Sequence, residues 1–336
     1  MADDAVAAPA PGVSQATDDT PALHAPVLIS LRELGTIRVE GTDALRFLQS
    51  QLTNDVERLD ATSFQLNGYC TAKGRLLATF HQWRDMDAVV LQLPAELLPT
   101  VQRRLTMFVL RLKVKLSDDS ERSTAYGLLG TGAASALRDC ALPVPTAAGD
   151  SLRQDGIRVS RLRPGPRVQE RFLLSADAGT ALPRGLAEIT PATSDVWWWS
   201  EIDAAVPTVF AATQEKFVPQ MINYEVLGGV DFKKGCYPGQ EIVARSQYLG
   251  KLRRRMRPAH VGCDDPPAAG SDVVHSADGQ PVGTVVMSAR APAGGCDLLF
   301  EAAADRIDAG GLSLAGPSGA PLLIGSLPYA LFDPTA

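Results

Sequence analysis

The sequence predicts an α+β protein made of two mixed helix-and-strand units followed by a smaller all-β unit. Hairpins and helices occur in a similar order in 27–116 and 117–252, which indicates two units of related architecture. Over 253–336 the pattern changes to short β segments between Gly and Pro turns, which is typical of a small β-barrel. A length of 336 residues is sufficient for these three domains.

The first unit begins with a strand-like run over 28–39. Thr42 is the predicted N-cap of the next helix, whose apolar residues follow helical spacing. Residues 76–83 and 88–93 predict two strands around a tight turn, and Pro94 then begins an amphipathic helix.

The second unit repeats this style. Residues 124–129 predict a strand and 133–140 a helix, and two further strands, 157–163 and 168–174, surround Pro164-Gly165-Pro166. The predicted barrel strands of the third unit include 273–274, 282–287 and 322–324.

The overall composition excludes several classes of protein. With 45% hydrophobic and 21% charged residues, the chain is not expected to be disordered, collagenous or a coiled coil. No apolar run approaches the ~20 residues that a bilayer-spanning helix needs. The formal net charge of −6 gives no reason to expect nucleic-acid binding over the whole surface.

The N-terminus and the cysteines indicate the compartment. Residues 1–26 carry four aspartates and no Lys or Arg, which matches neither a secretory signal nor an import peptide and predicts a flexible leader. The five cysteines, Cys70, Cys140, Cys236, Cys263 and Cys296, are scattered and include no Cys-x-x-Cys pair. A disulfide framework and a cysteine-rich metal site within this chain are therefore not expected, and we expect a reducing, cytoplasmic location.

The most informative segment is the loop Lys233-Lys234-Gly235-Cys236-Tyr237-Pro238-Gly239-Gln240-Glu241. Gly235 and Gly239 predict a tight turn around the rigid Tyr237-Pro238 corner, with Cys236 at its tip. The neighbouring lysines would favour the thiolate, which is the form that acts as a nucleophile or metal ligand. The alternative is a small buried side chain in a turn.

Basic residues are concentrated between Asp231 and Arg257, where eight cations stand against two acids. Such a patch suits phosphates, RNA or the glutamate tail of a folate. A solvated charge run at a domain junction is the alternative. No aromatic ladder accompanies the patch, so base stacking is not supported.

Three of the four tryptophans stand in a row as Trp197-Trp198-Trp199. In an extended segment, the first and third indoles would share one face, which could stack on a flat heteroaromatic ligand while the other face packs into the core. Glu201 and Asp203 follow, and a carboxylate beside an indole suits the amino group and ring nitrogens of a pterin. Core packing of all three indoles and an ordinary exposed Asp203 are the competing interpretations.

The segment 234–241, with Pro219-Gln220 and Leu227-Gly228-Gly229 before it and Val243-Ala244-Arg245 after it, resembles the signature of the YgfZ family. These are folate-binding proteins of iron–sulfur cluster assembly, related in fold to the T-protein, the aminomethyltransferase of glycine cleavage. Matches to the family's N-terminal domain are Phe47-Leu48-Gln49, Leu52-Thr53-Asn54-Asp55-Val56 and Gly74-Arg75-Leu76-Leu77.

The resemblance implies a three-domain ring with tetrahydrofolate or a related folate in its central opening. It makes Cys236 the functional residue, with metal binding as one option, within a motif loop that comprises Lys234, Gly235, Tyr237, Gly239, Gln240, Glu241 and Arg245. Trp197 corresponds to a folate-contacting tryptophan, and Asp203 stands where the related transferases carry a pterin-binding Glu. Leu34 replaces a second tryptophan that some members have.

The resemblance also implies a function and partners. The expected role is the assembly or repair of 4Fe–4S proteins, including radical enzymes that thiolate transfer RNA. The expected partners are iron–sulfur proteins or their assembly machinery, with an indirect link to transfer RNA and no link to a membrane.

One departure from the relatives bears on catalysis. Aminomethyltransferases carry an Asp pair after the Gly-rich turn of the first domain, where a carboxylate can stabilise positive charge or move a proton. The corresponding stretch, Leu76-Leu77-Ala78-Thr79-Phe80, has no titratable group, so glycine-cleavage chemistry is not expected. A folate-dependent one-carbon transferase, with a carboxylate from elsewhere such as Asp55, is the first alternative function. An RNA-binding module based on 251–257 is the second.

Overall fold

The computed structural model describes residues 23–248, 253–315 and 319–331. Most of the predicted leader (1–26) and the start of the basic run at Lys251 lie outside these ranges. Within them, no helix is both long enough and apolar enough to cross a bilayer.

Strands and helices are numbered in chain order. The strands are β1 (Val27–Ser30), β2 (Leu34–Glu40), β3 (Phe64–Cys70), β4 (Leu76–Asp85), β5 (Ala88–Pro94), β6 (Lys115–Asp118), β7 (Ser123–Leu129), β8 (Ser151–Gln154), β9 (Ile157–Arg161), β10 (Arg171–Asp177), β11 (Pro191–Ala192), β12 (Arg254–Val261), β13 (Asp272–His275), β14 (Pro281–Arg290), β15 (Cys296–Ala303), β16 (Leu312–Leu314) and β17 (Leu323–Ile324). The α-helices are α1 (Ala44–Gln49), α2 (Leu98–Thr106), α3 (Ala133–Asp139), α4 (Arg184–Ala187), α5 (Ser194–Asp203), α6 (Gln240–Tyr248) and α7 (Ala304–Ala309).

The first sheet has the strand order β3-β4-β5-β2-β6. It confirms the hairpin predicted from the sequence, because β4 and β5 pair antiparallel down to Asp85↔Ala88 at the turn. The helix predicted after Pro94 is α2, which lies against β2 and β6 and buries Val101 and Leu105. Alternating and helical apolar patterns therefore identified these elements correctly.

The second sheet has the order β11-β1-β7-β10-β9-β8 and takes β1 from the beginning of the described chain. β1 pairs antiparallel with β7 (Leu28↔Leu128) and parallel with β11, whereas β2 pairs with β5 in the first sheet. The single strand predicted over 28–39 is therefore wrong. A turn at the exposed residues Arg32 and Glu33 divides this run into two strands that enter different sheets.

The third sheet has the order β16-β13-β14-β15-β12-β17. β12 and β15 pair along their full lengths, from Arg254↔Ala303 to Val261↔Cys296, and Phe300 is at the centre of the core beneath them. The predicted change to an all-β unit is confirmed. β16 and β17 are the two outer strands of this order, so the sheet is not shown to close into a barrel. The closed barrel stays a prediction.

The three consecutive tryptophans lie in α5 and not in an extended segment. Because successive residues of an α-helix are about 100° apart, the indoles point to different neighbours. Trp197 lies on β7, where a Cβ at Gly127 would be 2.5 Å from its ring, and Trp199 Nε1 donates to Asp297 Oδ2 on β15 at 2.8 Å. The side chain of Trp198 is half-buried. α5 thus joins the second and third sheets.

Candidate functional site

The motif loop, residues 233–241, presents Cys236 at an exposed tip, as the sequence predicts. Asp231 organises the entry to the loop, because its Oδ1 accepts hydrogen bonds from the backbone N–H groups of Lys233 (2.6 Å) and Lys234 (3.1 Å). The loop ends where α6 begins at Gln240. The thiol is therefore accessible to another molecule and is not a buried side chain in a turn.

The loop is held against the first unit by direct backbone contact. Gly239 has a φ of +82°, and a Cβ there would lie 2.3 Å from Thr71 O and 2.6 Å from Gly74 N. Gly74 itself has a φ of +69° and is close to Ile242 on α6. The two glycine motifs that resemble the YgfZ family therefore meet in space, and neither position has room for a side chain.

Lys234 connects the loop to the first unit. Its buried ammonium donates hydrogen bonds to the carbonyl oxygens of Gln49, Leu52 and Asn54 at 2.5 to 3.1 Å. Desolvation by burial lowers the pKa of Lys234 to about 8. Its charge is thus directed to these carbonyl groups, and the main role of Lys234 is to fix the position of the loop.

The remaining motif residues surround this contact. Tyr237 is buried, and its ring lies 5.3 Å from Lys234 Nζ, while desolvation raises the pKa of its phenol. Gly235 is exposed. Glu241 and Arg245 are exposed on α6.

A second pair of motifs meets beside the loop. Thr53 Oγ1 donates to Gly229 O at 2.6 Å, and Asn54 Nδ2 donates to Gly228 O at 2.7 Å. A Cβ at Gly229 would lie 2.3 Å from the ring of Tyr224, so this close approach requires glycine. The segments 52–56 and 227–229 therefore form one wall of the space between the first two units.

That space is an open cleft with about 700 Å³ of empty volume. Its lining residues are Asn54, Phe64, Gln65, Leu66, His81, Ala148, Gly149, Arg161, Leu162, Arg163, Arg171, Glu201, Val206, Leu227 and Gly228. A smaller cavity of about 350 Å³ adjoins it, shares Leu66, His81 and Glu201, and adds Leu34, Trp197 and Trp198. Both volumes include space that is open to solvent, and the smaller cavity is narrow, so the larger cleft is the part that can take a small ligand.

A buried ion pair dominates the charge of the cleft. Arg171 Nη2 lies 2.6 Å from Glu201 Oε1, and both side chains are almost fully buried. Arg171 also donates to Arg163 O at 2.7 Å and, at longer distance, to Ser200 Oγ. Glu201 Oε2 accepts no hydrogen bond within the described residues, so one carboxylate oxygen remains for a ligand.

His81 and Arg163 complete the polar lining. Desolvation by burial lowers the pKa of His81, an effect that the nearby Glu201 opposes, so the imidazole is neutral at pH 7. The half-buried guanidinium of Arg163 makes no hydrogen bond to any described residue. Arg161, in contrast, donates to Pro145 O at 3.2 Å. Arg163 is thus the cation best placed to bind an anionic ligand group.

The structure does not bring together Trp197 and Asp203, the two residues predicted to bind folate. Trp197 lines the smaller cavity, but Asp203 lines neither cavity. Its Oδ2 accepts from the backbone N–H groups of Arg167 and Val168, both at 3.0 Å, and its Oδ1 accepts from Arg167 Nε at 2.7 Å. Asp203 therefore organises the loop 163–168, and Glu201 is the carboxylate of α5 that faces the cavities.

The sequence contains a signal for Glu201 that depends on helical periodicity. In a helix, Glu201 lies one turn after Trp197 and Trp198, at spacings i+4 and i+3, and so shares their face. An extended segment would place Trp197, Glu201 and Asp203 on one face and Trp198 on the other, so it would not distinguish the two carboxylates. His81 and Arg163 come from β4 and from the loop after β9, and no local motif marks them.

The thiol and the cleft are separate features. Cys236 lines neither cavity, so the structure does not bring it to Trp197 and Glu201. Asp55, the carboxylate considered for one-carbon chemistry, also lines neither cavity and is occupied by Gln49 Nε2, by the Glu57 backbone N–H and by Arg58. Within the described ranges, no group of three or more His, Cys, Asp or Glu side chains could hold a metal ion.

Several cations of the basic run form ion pairs with acidic residues of the fold. Arg254 pairs with Glu301, and Arg255 Nη1 lies 2.6 Å from Glu225 Oε1 with both of these last side chains buried. Burial also lowers the pKa of Arg257. These cations are used within the fold, so the described part of the run does not form the continuous basic patch that an RNA-binding module requires.

The fold is shared with a known enzyme. Glycine cleavage system aminomethyltransferase T from Bartonella henselae aligns with 91% of this chain and 86% of that chain, with a TM-score of 0.72 and 17% sequence identity. Heterotetrameric sarcosine oxidase from Corynebacterium sp. U-96 aligns with 47% of this chain and 79% of that chain, with a TM-score of 0.33 and 14% identity. No family model matches the chain. The first alignment shows an aminomethyltransferase-like fold.

Proposed function

We propose that this chain is a cytoplasmic, folate-binding accessory factor in the assembly or repair of 4Fe–4S proteins, including enzymes that thiolate transfer RNA. The observation that carries the folate part is the cleft between the first two units, which combines a half-buried indole, a carboxylate and a guanidinium with no hydrogen bond to a described residue. The resemblance of 234–241 to the YgfZ family supports the iron–sulfur role. The fold shared with an aminomethyltransferase is consistent with both.

The end of the cleft beside α5 suits a pterin. Trp198 supplies half-buried aromatic surface beside the almost fully buried Trp197, and Glu201 supplies an acceptor for the amino group and ring N–H of the pterin. His81 is neutral, so it can exchange a hydrogen bond with the ligand without adding a second charge. We assign pterin recognition to Glu201 in place of Asp203.

The basic residues that line the cleft suit the glutamate tail. Arg163 offers a guanidinium that makes no hydrogen bond within the described part of the chain, and guanidinium groups bind carboxylates with two parallel hydrogen bonds. Arg161 adds positive charge at the same wall. This location replaces the basic residues between Asp231 and Arg257 as the proposed binding site for the tail.

Cys236 acts at a different surface in this proposal. The loop is fixed by Lys234 and by the contact between Gly239 and Gly74, which holds the exposed thiol in place while leaving it accessible. A cysteine presented this way can contact the cluster or a thiol of a docked client protein. The folate site then acts on this function through the first unit and not by touching the thiol.

Isothermal titration with tetrahydrofolate tests the folate site. Replacing Arg163 by Ala removes a charged hydrogen-bonding group, and we expect about 10-fold or greater weakening of the affinity. Arg184→Ala is the matched control, because Arg184 is exposed on α4 and pairs only with Glu188 among the described residues. Equal affinities of the wild type and Arg163→Ala, or no binding by either, would remove the proposed site.

Activity of a 4Fe–4S thiolating enzyme in cells tests the accessory role. We expect Cys236→Ala to lower this activity while tetrahydrofolate binding in vitro is retained, because the thiol lies outside the cleft. Cys140→Ala is the control for loss of a half-buried thiol elsewhere. Normal activity with Cys236→Ala would exclude the thiol from the function.

The second candidate is a folate-dependent one-carbon transferase. The aminomethyltransferase-like fold favours it, and Glu201 provides a carboxylate in the cleft that the stretch Leu76–Phe80 lacks. Glu201 is, however, already paired with Arg171 through Oε1, so this oxygen is not available to a substrate. Methylene transfer from an aminomethyl donor to tetrahydrofolate by the purified protein would establish this activity, and its abolition by Glu201→Gln would assign it to the cleft.

A further inference from the structure

Two of the five cysteines, 33 residues apart in the sequence, are neighbours at one end of the third sheet. Cys296 is the first residue of β15 and pairs with Val261, the last residue of β12. Two residues later the chain turns back, because Cys263 N donates to Val261 O at 3.1 Å. Cys296 Sγ donates to the backbone carbonyl oxygen of Cys263 at 3.4 Å, which places the buried thiol against residue 263.

The surroundings of the pair give the two thiols different access. Cys296 is fully buried, whereas Cys263 is half-buried and its Sγ donates to Asp265 O at 3.2 Å. Arg290 lies beside them, paired with Asp265 Oδ1 at 2.6 Å, and its positive charge offsets only part of the burial effect that raises the pKa of Cys296. Both cysteines are reduced in the structure.

We infer that Cys263 and Cys296 form an oxidation site of this protein, at which a low-molecular-weight disulfide converts the thiol pair into an intramolecular disulfide. The Cys263 thiolate attacks one sulfur of glutathione disulfide, which forms a mixed disulfide and releases one glutathione thiolate. The Cys296 thiolate then attacks Cys263 Sγ, which forms the internal S–S bond and releases the second glutathione. Two protein thiols lose two electrons and two protons, and one glutathione disulfide is reduced to two thiols.

The two steps differ in rate for a structural reason. Cys263 reaches solvent, so it is the thiol that meets the oxidant. Burial raises the pKa of Cys296 to about 12, so few molecules carry its thiolate at pH 7 and the second step is slow. Formation of the internal bond should therefore accelerate as the pH increases from 7 to 9, whereas a bond between exposed thiols would depend less on pH in this range.

The pair is next to a carboxylate that joins the units. Asp297 follows Cys296 and accepts hydrogen bonds from Trp199 Nε1 and from Arg167 Nη2, while its Oδ1 is 2.8 Å from His260 Nδ1. Closing the disulfide would fix the ends of β12 and β15 beside this junction. We expect oxidation to raise the urea midpoint of unfolding, because a crosslink restricts the unfolded chain.

The experiment treats the full-length protein with glutathione disulfide, blocks the remaining thiols with an alkylating reagent and maps the peptides by mass spectrometry. We expect a linked Cys263–Cys296 peptide that dithiothreitol separates, and a loss of two hydrogens from the pair. Exposed Cys236 should carry glutathione without a partner. Cys140→Ser is the matched control and should leave the linked peptide unchanged.

Two variants keep the test decisive. Cys263→Ser affects a half-buried position, so it should fold and should leave Cys296 unmodified by glutathione disulfide. Cys296→Ser should leave glutathione on Cys263, although the polar hydroxyl is placed in the core. A wild-type protein that retains glutathione on Cys263, or in which both thiols stay free at pH 9, would overturn the inference.

Discussion

The close approach of Gly239 to the turn 71–74 predicts a large difference between two substitutions in one loop. In Gly239→Ala the added Cβ would lie 2.3 Å from Thr71 O and 2.6 Å from Gly74 N, both of which are backbone atoms that cannot rotate away. The φ of +82° also places alanine in the left-handed region. Gly235→Ala is the matched control, because no atom lies within 4 Å of its added Cβ and its φ is not positive.

The expected magnitudes follow from these two terms. A non-glycine residue in the left-handed region costs about 1–2 kcal/mol, and forcing the packed backbones apart costs a further amount of about 1–3 kcal/mol. Gly239→Ala should therefore lower the free energy of unfolding by about 2–5 kcal/mol. Gly235→Ala should change it by less than about 1 kcal/mol, because it mainly restricts the unfolded chain.

Urea denaturation followed by tryptophan fluorescence measures this difference. The midpoint of Gly239→Ala should decrease clearly, whereas that of Gly235→Ala should stay close to the wild-type value. Equal midpoints for the two variants would show that the loop does not press on the turn 71–74, and the proposed fixing of Cys236 by this contact would be refuted.

Three further predictions concern the interior. Because burial lowers the pKa of His81 below its ordinary value of 6.5, the unfolded chain binds a proton that the folded chain does not. Stability should thus decrease as the pH falls below 6.5, and His81→Phe should reduce this dependence in urea titrations at pH 7 and 5. Trp199→Phe removes the hydrogen bond to Asp297 and should lower the free energy of unfolding by about 1–3 kcal/mol, which is more than the effect of Trp198→Phe. Equal urea midpoints of the two variants would contradict this. Arg255→Met leaves Glu225 buried without this cation and should lower the free energy of unfolding by about 3–5 kcal/mol. Adding Glu225→Leu should restore most of this stability. A double variant as unstable as the single one would contradict the role of the ion pair.

The sequence predicted the local elements of the fold well. The hairpin of β4 and β5 and the helix α2 follow from alternating and helical apolar patterns within a single segment. The division of 28–39 between two sheets could not be predicted, because side-chain alternation shows that a segment is a strand but not which sheet it joins. The fold relationship to an aminomethyltransferase came from the motifs and is confirmed as a fold by the structural comparison.

The candidate site was predicted in part. The exposed tip at Cys236 follows from the positions of glycine and proline around it. The choice of Asp203 over Glu201 came from the family resemblance. The two residues are two positions apart on α5 and therefore point in different directions. Asp203 faces the loop 163–168, and Glu201 faces the cavities. The neighbours Cys263 and Cys296 depend on strand pairing over a long separation, which no local pattern encodes.

The position of β1 has a consequence for attempts to divide the protein. A cut near residue 116 separates β1 from β7 and β11, the strands on either side of it, and also leaves the first fragment with β1 as an extra, unmatched segment. The second fragment would have a gap between the edge strand β11 and β7, with two rows of backbone groups newly open to solvent. Fragments for biochemical study should therefore carry residues 27–30 together with the second sheet, or the two units should be kept on one polypeptide.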